Sequence, residues 1–157
     1  MIKPWILVLA LFAAAACNVS VVGVEGSGVS ASEDRQVAAF EAVALSGSFA
    51  VEVGPARGVR VEADDNIVPI VLTEVVGDVL KTSSQENFST RTPIKVRVTT
   101  PRLVAVEHSG SGSIEAAADL ATTRATVSLS GSGSVQHAGG ARDVVSNIRG
   151  SGSVTPI

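Results

Sequence analysis

Two histidines, a lone cysteine and a dense set of serines are the residues with chemistry to offer. His108 and His137 are the only histidines. His108 falls on the inward face of an alternating segment, at the end of a stack above Leu129, and reads as a buried, hydrogen-bonded histidine. A metal site there would need two or three further ligands, and only Glu107 and Glu115 are close in sequence. His137 sits beside Gly139-Gly140 and reads as a loop residue. Serines abound, but no Gly-x-Ser-x-Gly lies on a strand-to-helix turn with Asp and His following. Gly131-Ser132-Gly133-Ser134 fits that string only loosely. The glycines lack the Gly-Lys-Ser/Thr ending of a phosphate loop, and no helix follows them as a dinucleotide site requires. Asp64-Asp65-Asn66 does not have the spacing of a calcium loop and reads as a turn or cap. The pattern therefore points away from an enzyme and implies no metal and no cofactor.

Cys17 is the only cysteine, so no disulfide can form within one chain. It follows Lys3, the apolar run Trp5–Phe12 and the small residues Ala14-Ala15-Ala16. The apolar run is too short to span a bilayer with ease. This arrangement resembles a bacterial lipoprotein signal, with Ala14 where Leu is commoner. The resemblance implies that residues 1–16 are a signal peptide, that Cys17 becomes the acylated (palmitate-bearing) N-terminus, and that the membrane is a partner through that lipid. One acyl chain anchors only marginally; the several chains of such a lipoprotein hold firmly. Asn18, not Asp, follows the cysteine, which in enteric-type sorting implies the outer membrane.

The serines and glycines are ordered. Ser109-Gly110-Ser111-Gly112-Ser113 recurs as Ser130–Ser134 and, with Arg149 in first place, as Arg149–Ser153. A degenerate copy is Leu45–Phe49. A period of roughly 20 residues marks a stacked, repetitive fold. Upstream of each copy, apolar and polar residues alternate in phase. Val104, Val106 and His108 match Ala125, Val127 and Leu129, then Val144, Ser146 and Ile148. Downstream, Ile114, Val135 and Val154 correspond. Alternation is the period of a strand with one buried face, and glycine lets the chain bend after it. The expected fold is all-β, a right-handed parallel β-helix or solenoid with Gly-Ser corners. An antiparallel meander is the other architecture that fits.

The rest of the chain reads as strands and turns. Residues 17–36 form a lipidated N-terminus and polar linker, although Val21-Val22-Gly23-Val24 is strand-like. The domain is expected over 37–157, with Phe40, Val43, Leu45, Val51 and Val53 in its core. Gly54–Gly58 is a turn signal between Val51–Val53 and the alternating Val59–Ala63, which predicts a hairpin. A short helical turn is expected over Ile67–Leu72, interrupted at Pro69. Val79–Thr82 and Ile94–Thr99 read as strands, Ser83–Thr92 as a loop. With four Phe, one Trp and no Tyr, small β-branched residues must fill a thin core.

Charge argues against nucleic acid. The chain has 12 Lys+Arg and 15 Asp+Glu; loss of Lys3 with the signal leaves 11 basic residues and a net charge of −4. There is no basic cluster and little aromatic surface for stacking. Stacked outward Ser and Thr would instead make a flat polar ladder, suited to a glycan or to another protein sheet.

The order of these features (Glu33–Val37 leading to Phe40 and Val43, Ala63–Ile67, Leu80-Lys81, Ile94–Val98, Pro101-Arg102-Leu103, then the Ser-Gly series) resembles the putative auto-transporter adhesin family with a head GIN domain. The likeness covers roughly residues 24–157. It implies an exported β-helical domain, often on a lipoprotein, that makes adhesive contacts without catalysis. Because the sequence stops three residues after Val154, an open sheet edge is expected, inviting a homo-oligomer or a covering partner. No membrane barrel follows in the sequence.

Overall fold

The computed structural model describes residues 23–54, 58–116, 124–137 and 143–156. The expectations for residues 1–22, Cys17 among them, lie outside the described residues. The described chain is 66% strand with almost no helix. In order come β1 (Val24–Glu25), β2 (Ser30–Arg35), β3 (Ala42–Gly47), β4 (Ala50–Gly54) and β5 (Gly58–Asp64). A single 3₁₀ turn, Val68–Ile70, leads to β6 (Val71–Val76), β7 (Val79–Ser84), β8 (Phe88–Ser89) and β9 (Lys95–Thr99). The repeats follow as β10 (Ala105–Gly110) and β11 (Ser113–Ala116), β12 (Arg124–Gly131) and β13 (Ser134–His137), and β14 (Asp143–Gly150) and β15 (Ser153–Pro156).

These strands form two large sheets and one small one. The first has the order β14-β12-β10-β3-β7-β6, the second β15-β13-β11-β4-β9-β5-β2, and β1 pairs with β8. Each repeat contributes one strand to each large sheet, with its Gly-Ser corner between. We call such a pair a rung. Rungs β3–β4, β10–β11, β12–β13 and β14–β15 stack in parallel and in register. Val106 lies beside Val43 and Val127, and Gly110 beside Gly47 and Gly131. The phase seen among the copies is thus the hydrogen-bond register itself.

The core lies between the sheets as rows of aliphatic side chains. Leu80, Val43, Val106 and Val127 form one row; Val96, Val51, Ile114 and Val135 form its counterpart. All eight are buried, each stabilising by about 1.5–3 kcal/mol relative to exposure. Phe49 tucks beneath the corner and stacks on Phe88, ring centroids 5.9 Å apart at 13°.

The sheets are mixed rather than parallel throughout. β6 runs antiparallel to β7, β5 to β9, and β2 to β5. The expected hairpin of residues 51–63 does not form. β9 lies between β4 and β5, parallel to one and antiparallel to the other. Its Val96 and Val98 match the alternation of both neighbours, so burial on one face outweighs proximity in sequence. Residues 30–35, polar enough to read as linker, are the edge strand β2. Their charges suit an edge, where they deter pairing with other chains. Phe88, expected in a polar loop, pairs within β8 against Val24.

Candidate functional site

The feature with a defined geometry is the corner ladder, and glycine is what shapes it. Gly47, Gly110, Gly131 and Gly150 have φ of 133°, 130°, 116° and 120°, a region that L side chains rarely enter. Space excludes a side chain as well. A Cβ on Gly110 would collide with the carbonyl of Gly47, one on Gly131 with that of Gly110, and one on Gly150 with that of Gly131. The second glycine of each corner is equally confined, since a Cβ on Gly112 would meet the Phe49 carbonyl. Backbone bonds carry the ladder around the bend: Ser113 N donates to Phe49 O at 2.9 Å, Ser132 N to Gly110 O at 3.1 Å, and Ser134 N to Gly112 O at 3.1 Å.

This bend turns serines outward. Ser46, Ser109 and Ser130 are exposed in one row, with Arg149 continuing it; Ser48, Ser111, Ser132 and Ser151 are exposed in the next. Successive hydroxyls are therefore spaced by the strand separation of about 4.8 Å. Two shallow grooves flank them. One, of about 590 Å³, runs over Ser109, Ser130, Ser128, Glu107, Asn147 and Arg149. The other, of about 450 Å³, lies at the bend beside Ser111, Ser132, Ser134, Phe88 and Thr90. Hydroxyls at a fixed repeat can hydrogen-bond a polymer of hydroxyls or amides, and they supply neither a nucleophile's base nor a metal's ligands.

The histidines do not join this surface. His108 is 2% exposed, and its Nε2 lies 2.8 Å from Gly112 O, so Nε2–H donates there. It stands between Leu45 and Leu129 in mid-stack, not at the stack's end as expected, because β3 pairs on its other side. Glu107 is exposed on the face of β10 opposite the imidazole, and Glu115 is exposed on β11 in the other sheet. His137 is a correction too. It ends strand β13 and is buried, held in the row of Val98, Val53 and Ala116. The nearby glycines gave it a loop's appearance. Nδ1 of each histidine is buried without a partner. Among the described residues, no group of three or more His, Cys, Asp or Glu could hold a metal ion.

The acidic triplet is structural. Asp64 is fully buried and accepts from Thr92 Oγ1 at 2.6 Å and Arg91 N at 2.9 Å. Those bonds, the Thr92 hydroxyl foremost, hold its pKa below the usual carboxylate value. Asp65 accepts from Ser27 Oγ at 2.5 Å, and Asn66 takes Ser27 N at 2.9 Å while donating to Glu25 O at 2.8 Å. The 3₁₀ turn begins after Ile67 with no side-chain cap. The triplet thus clamps the N-terminal segment to the domain instead of capping the turn.

A hollow of about 680 Å³ lies at the strand ends beside Asp34, Arg35, Phe40, Glu41, Asp78 and Arg102. Its charges are mostly paired: Arg60 Nε with Asp34 at 2.7 Å, Arg102 with Glu41 at 3.2 Å, Arg35 with Glu33 at 3.3 Å. The Arg60 hydrogen bond lowers the Asp34 pKa. Among the described residues, no helix is long and apolar enough to cross a membrane.

Stacked rungs with glycine bends and a polar outer ladder define a repetitive all-β domain. The chain belongs to the family described as putative auto-transporter adhesin, head GIN domain, which matches residues 39–156. No curated protein sequence matches it. Among solved structures, a putative adhesin from Bacteroides fragilis is similar over 86% of this chain and 100% of its own, at 13% identity and a TM-score of 0.54. A putative lipid binding protein from Parabacteroides distasonis aligns over 81% of this chain and 62% of its own, at 17% identity and 0.58. A putative adhesin from Parabacteroides merdae covers 85% and 98%, at 14% identity and 0.52. Identities this low establish a shared fold.

Proposed function

We propose that this is a non-enzymatic lipoprotein of the bacterial cell envelope, whose stacked rungs form a β-helix that presents the serine ladder to a glycan or protein surface. Residues 1–16 act as the signal peptide, Cys17 carries the lipid, and Asn18 directs it to the outer membrane. The observation that carries the contact reading is the pair of exposed hydroxyl rows on bends that backbone hydrogen bonds tie to one another from rung to rung. A preformed surface loses little conformational entropy on binding, so weak, repeated hydrogen bonds can sum to useful affinity. Membership of an adhesin-described family supports the same reading.

The anchor is tested by growing cells with radiolabelled palmitate. Label on the wild-type chain and none on Cys17→Ser is expected; equal labelling would remove Cys17 from the proposal. For the ladder, the lipidated protein is used to pull down envelope or host surface polymers. A triple change of Ser111, Ser132 and Ser151 to Ala should abolish retention. Undiminished retention would move the contact surface elsewhere. A second reading, self-association through an open sheet edge, is favoured by β14, which is exposed along its whole length.

A further inference from the structure

The last rung leaves an edge whose sequence matches itself. β14 ends the first sheet, so its outer row of backbone N–H and C=O groups has no strand beside it among the described residues. In the inward-facing phase it carries Val144, Ser146 and Ile148, beside Ala125, Val127 and Leu129 of β12. The β12 residues are buried, whereas Val144 is 36% and Ile148 46% exposed. The outward phase carries Asp143, Val145, Asn147 and Arg149. The strand thus has an acid at one end and a base at the other, with apolar residues set symmetrically inside them.

We propose that β14 pairs antiparallel with β14 of a second copy of this chain, about a two-fold axis at Ser146. This rests on the self-association reading and adds its register. In a two-fold pair, directly opposite residues share a sheet face, so inward residues must meet inward residues. That requirement excludes every axis placed between two residues. Of the remaining registers, the one centred on Ser146 sets Val144 opposite Ile148 of the partner, twice, and Asp143 opposite Arg149 of the partner, twice. Centring on Asn147 would oppose Ser146 to Ile148 and Arg149 to Val145. Centring on Val145 would oppose Val144 to Ser146 and leave Ile148 and Arg149 beyond the paired segment.

The chosen register also explains a departure from the row. Leu80, Val43, Val106 and Val127 are aliphatic, and the next residue is Ser146. On the two-fold axis its hydroxyl meets its own copy, and the two can bond each other where a lone serine would face apolar neighbours. The contact is isologous and closes at two chains. A filament would need the opposite end of the stack, where β2 and β6 are edges of different composition.

The test uses the full chain in detergent with Cys17→Ser, so that an introduced cysteine is the sole thiol. Analytical ultracentrifugation over a wide concentration range should show a monomer–dimer equilibrium. Mild oxidation of Ser146→Cys should trap a covalent dimer, and Asn147→Cys, which faces Val145 of the partner, should not. Arg149→Asp should weaken the dimer roughly tenfold by opposing like charges at both ends. Asp143→Arg with Arg149→Asp should restore it. All four positions are exposed, and an unchanged melting temperature of each monomer checks the fold. A dimer indifferent to these changes would overturn the register but not self-association. A monomer at every concentration would overturn both, as would a monomer whose β14 amides resist hydrogen exchange, for then the chain covers its own edge.

Discussion

The stack finishes differently at its two ends. At one end the direction of the chain reverses: β6 and β5 run against the stack, β2 pairs antiparallel with β5, and these strands close the sheets with charged or short-range partners. Outward side chains there are linked across strands, Asp34 to Arg60 at 2.7 Å, Arg97 to Glu62 at 3.3 Å and to Glu52 at 3.2 Å. At the other end the repeat simply continues into β14 and β15. Along one outward row the residues pass from Asp34, Arg60, Arg97 and Glu52 through Glu115 to Gln136 and Thr155. Charge fades as the antiparallel strands recede. The repeated rungs were built by one local rule, whereas the charged end needed particular residues to stop sheet growth.

The sharpest way to separate the ends is to make one substitution at matching positions. Gly110→Ala forces a left-handed conformation and a backbone collision in mid-stack, and should cost about 3 kcal/mol or more, read as loss of cooperative unfolding near the wild-type temperature. Gly150→Ala meets the same collision at the last rung, where the edge can yield, and should cost clearly less. Equal losses would show that β14 is as confined as β10.

Leu129→Ala should cost about 2–5 kcal/mol, measured by denaturant unfolding. Its register partner Ile148, changed to Ala in the monomer, should cost under about 1 kcal/mol. A large effect at Ile148 would mean that the open end is packed in solution.

Acid should attack the charged end first. Asp64 has a folded-state pKa below its unfolded value. Its stabilisation is therefore complete above about pH 4 and is lost as the pH falls through the lower folded value. Amide exchange should quicken in β1 and β2 below pH 4, while β10 and β12 stay protected. Asp64→Asn should make exchange in β1 and β2 fast at neutral pH and remove the acid dependence. Uniform exchange at low pH would break the distinction.

The smallest effect is expected at His108→Leu. Gly112 O keeps its bond from Ser134 N, the unpartnered Nδ1 disappears, and the row becomes Leu45-Leu-Leu129. Stability should be unchanged or rise by up to about 1 kcal/mol. A loss above 2 kcal/mol would show that the imidazole is a structural bridge.

What was legible from residue order follows the same division. The three Ser-Gly copies disclosed register, inward rows and corners, because a parallel stack places like on like. Nothing local disclosed that β9 separates β4 from β5: Gly54 and Gly58 promise a hairpin, and the competing strand arrives much later in the chain. β2 was obscured because an edge strand and a linker share a polar composition. His137 was obscured because its neighbours Gly139 and Gly140 outweighed a two-residue alternation from Val135. The serine ladder as a surface was readable, but the opposing residues at β14 became meaningful only once that strand was known to lie last.

The late placement of β9 has a consequence for how the molecule is made. Val51 and Val61 face the same interior row, yet neither strand can complete its ladder until Lys95–Thr99 slides between them. A polypeptide synthesised from its N-terminus must hold β4 and β5 unpaired with each other until Thr99 has been made, before the second sheet locks. Such long-range pairing is slow, so the nascent protein stays threadable until late in synthesis.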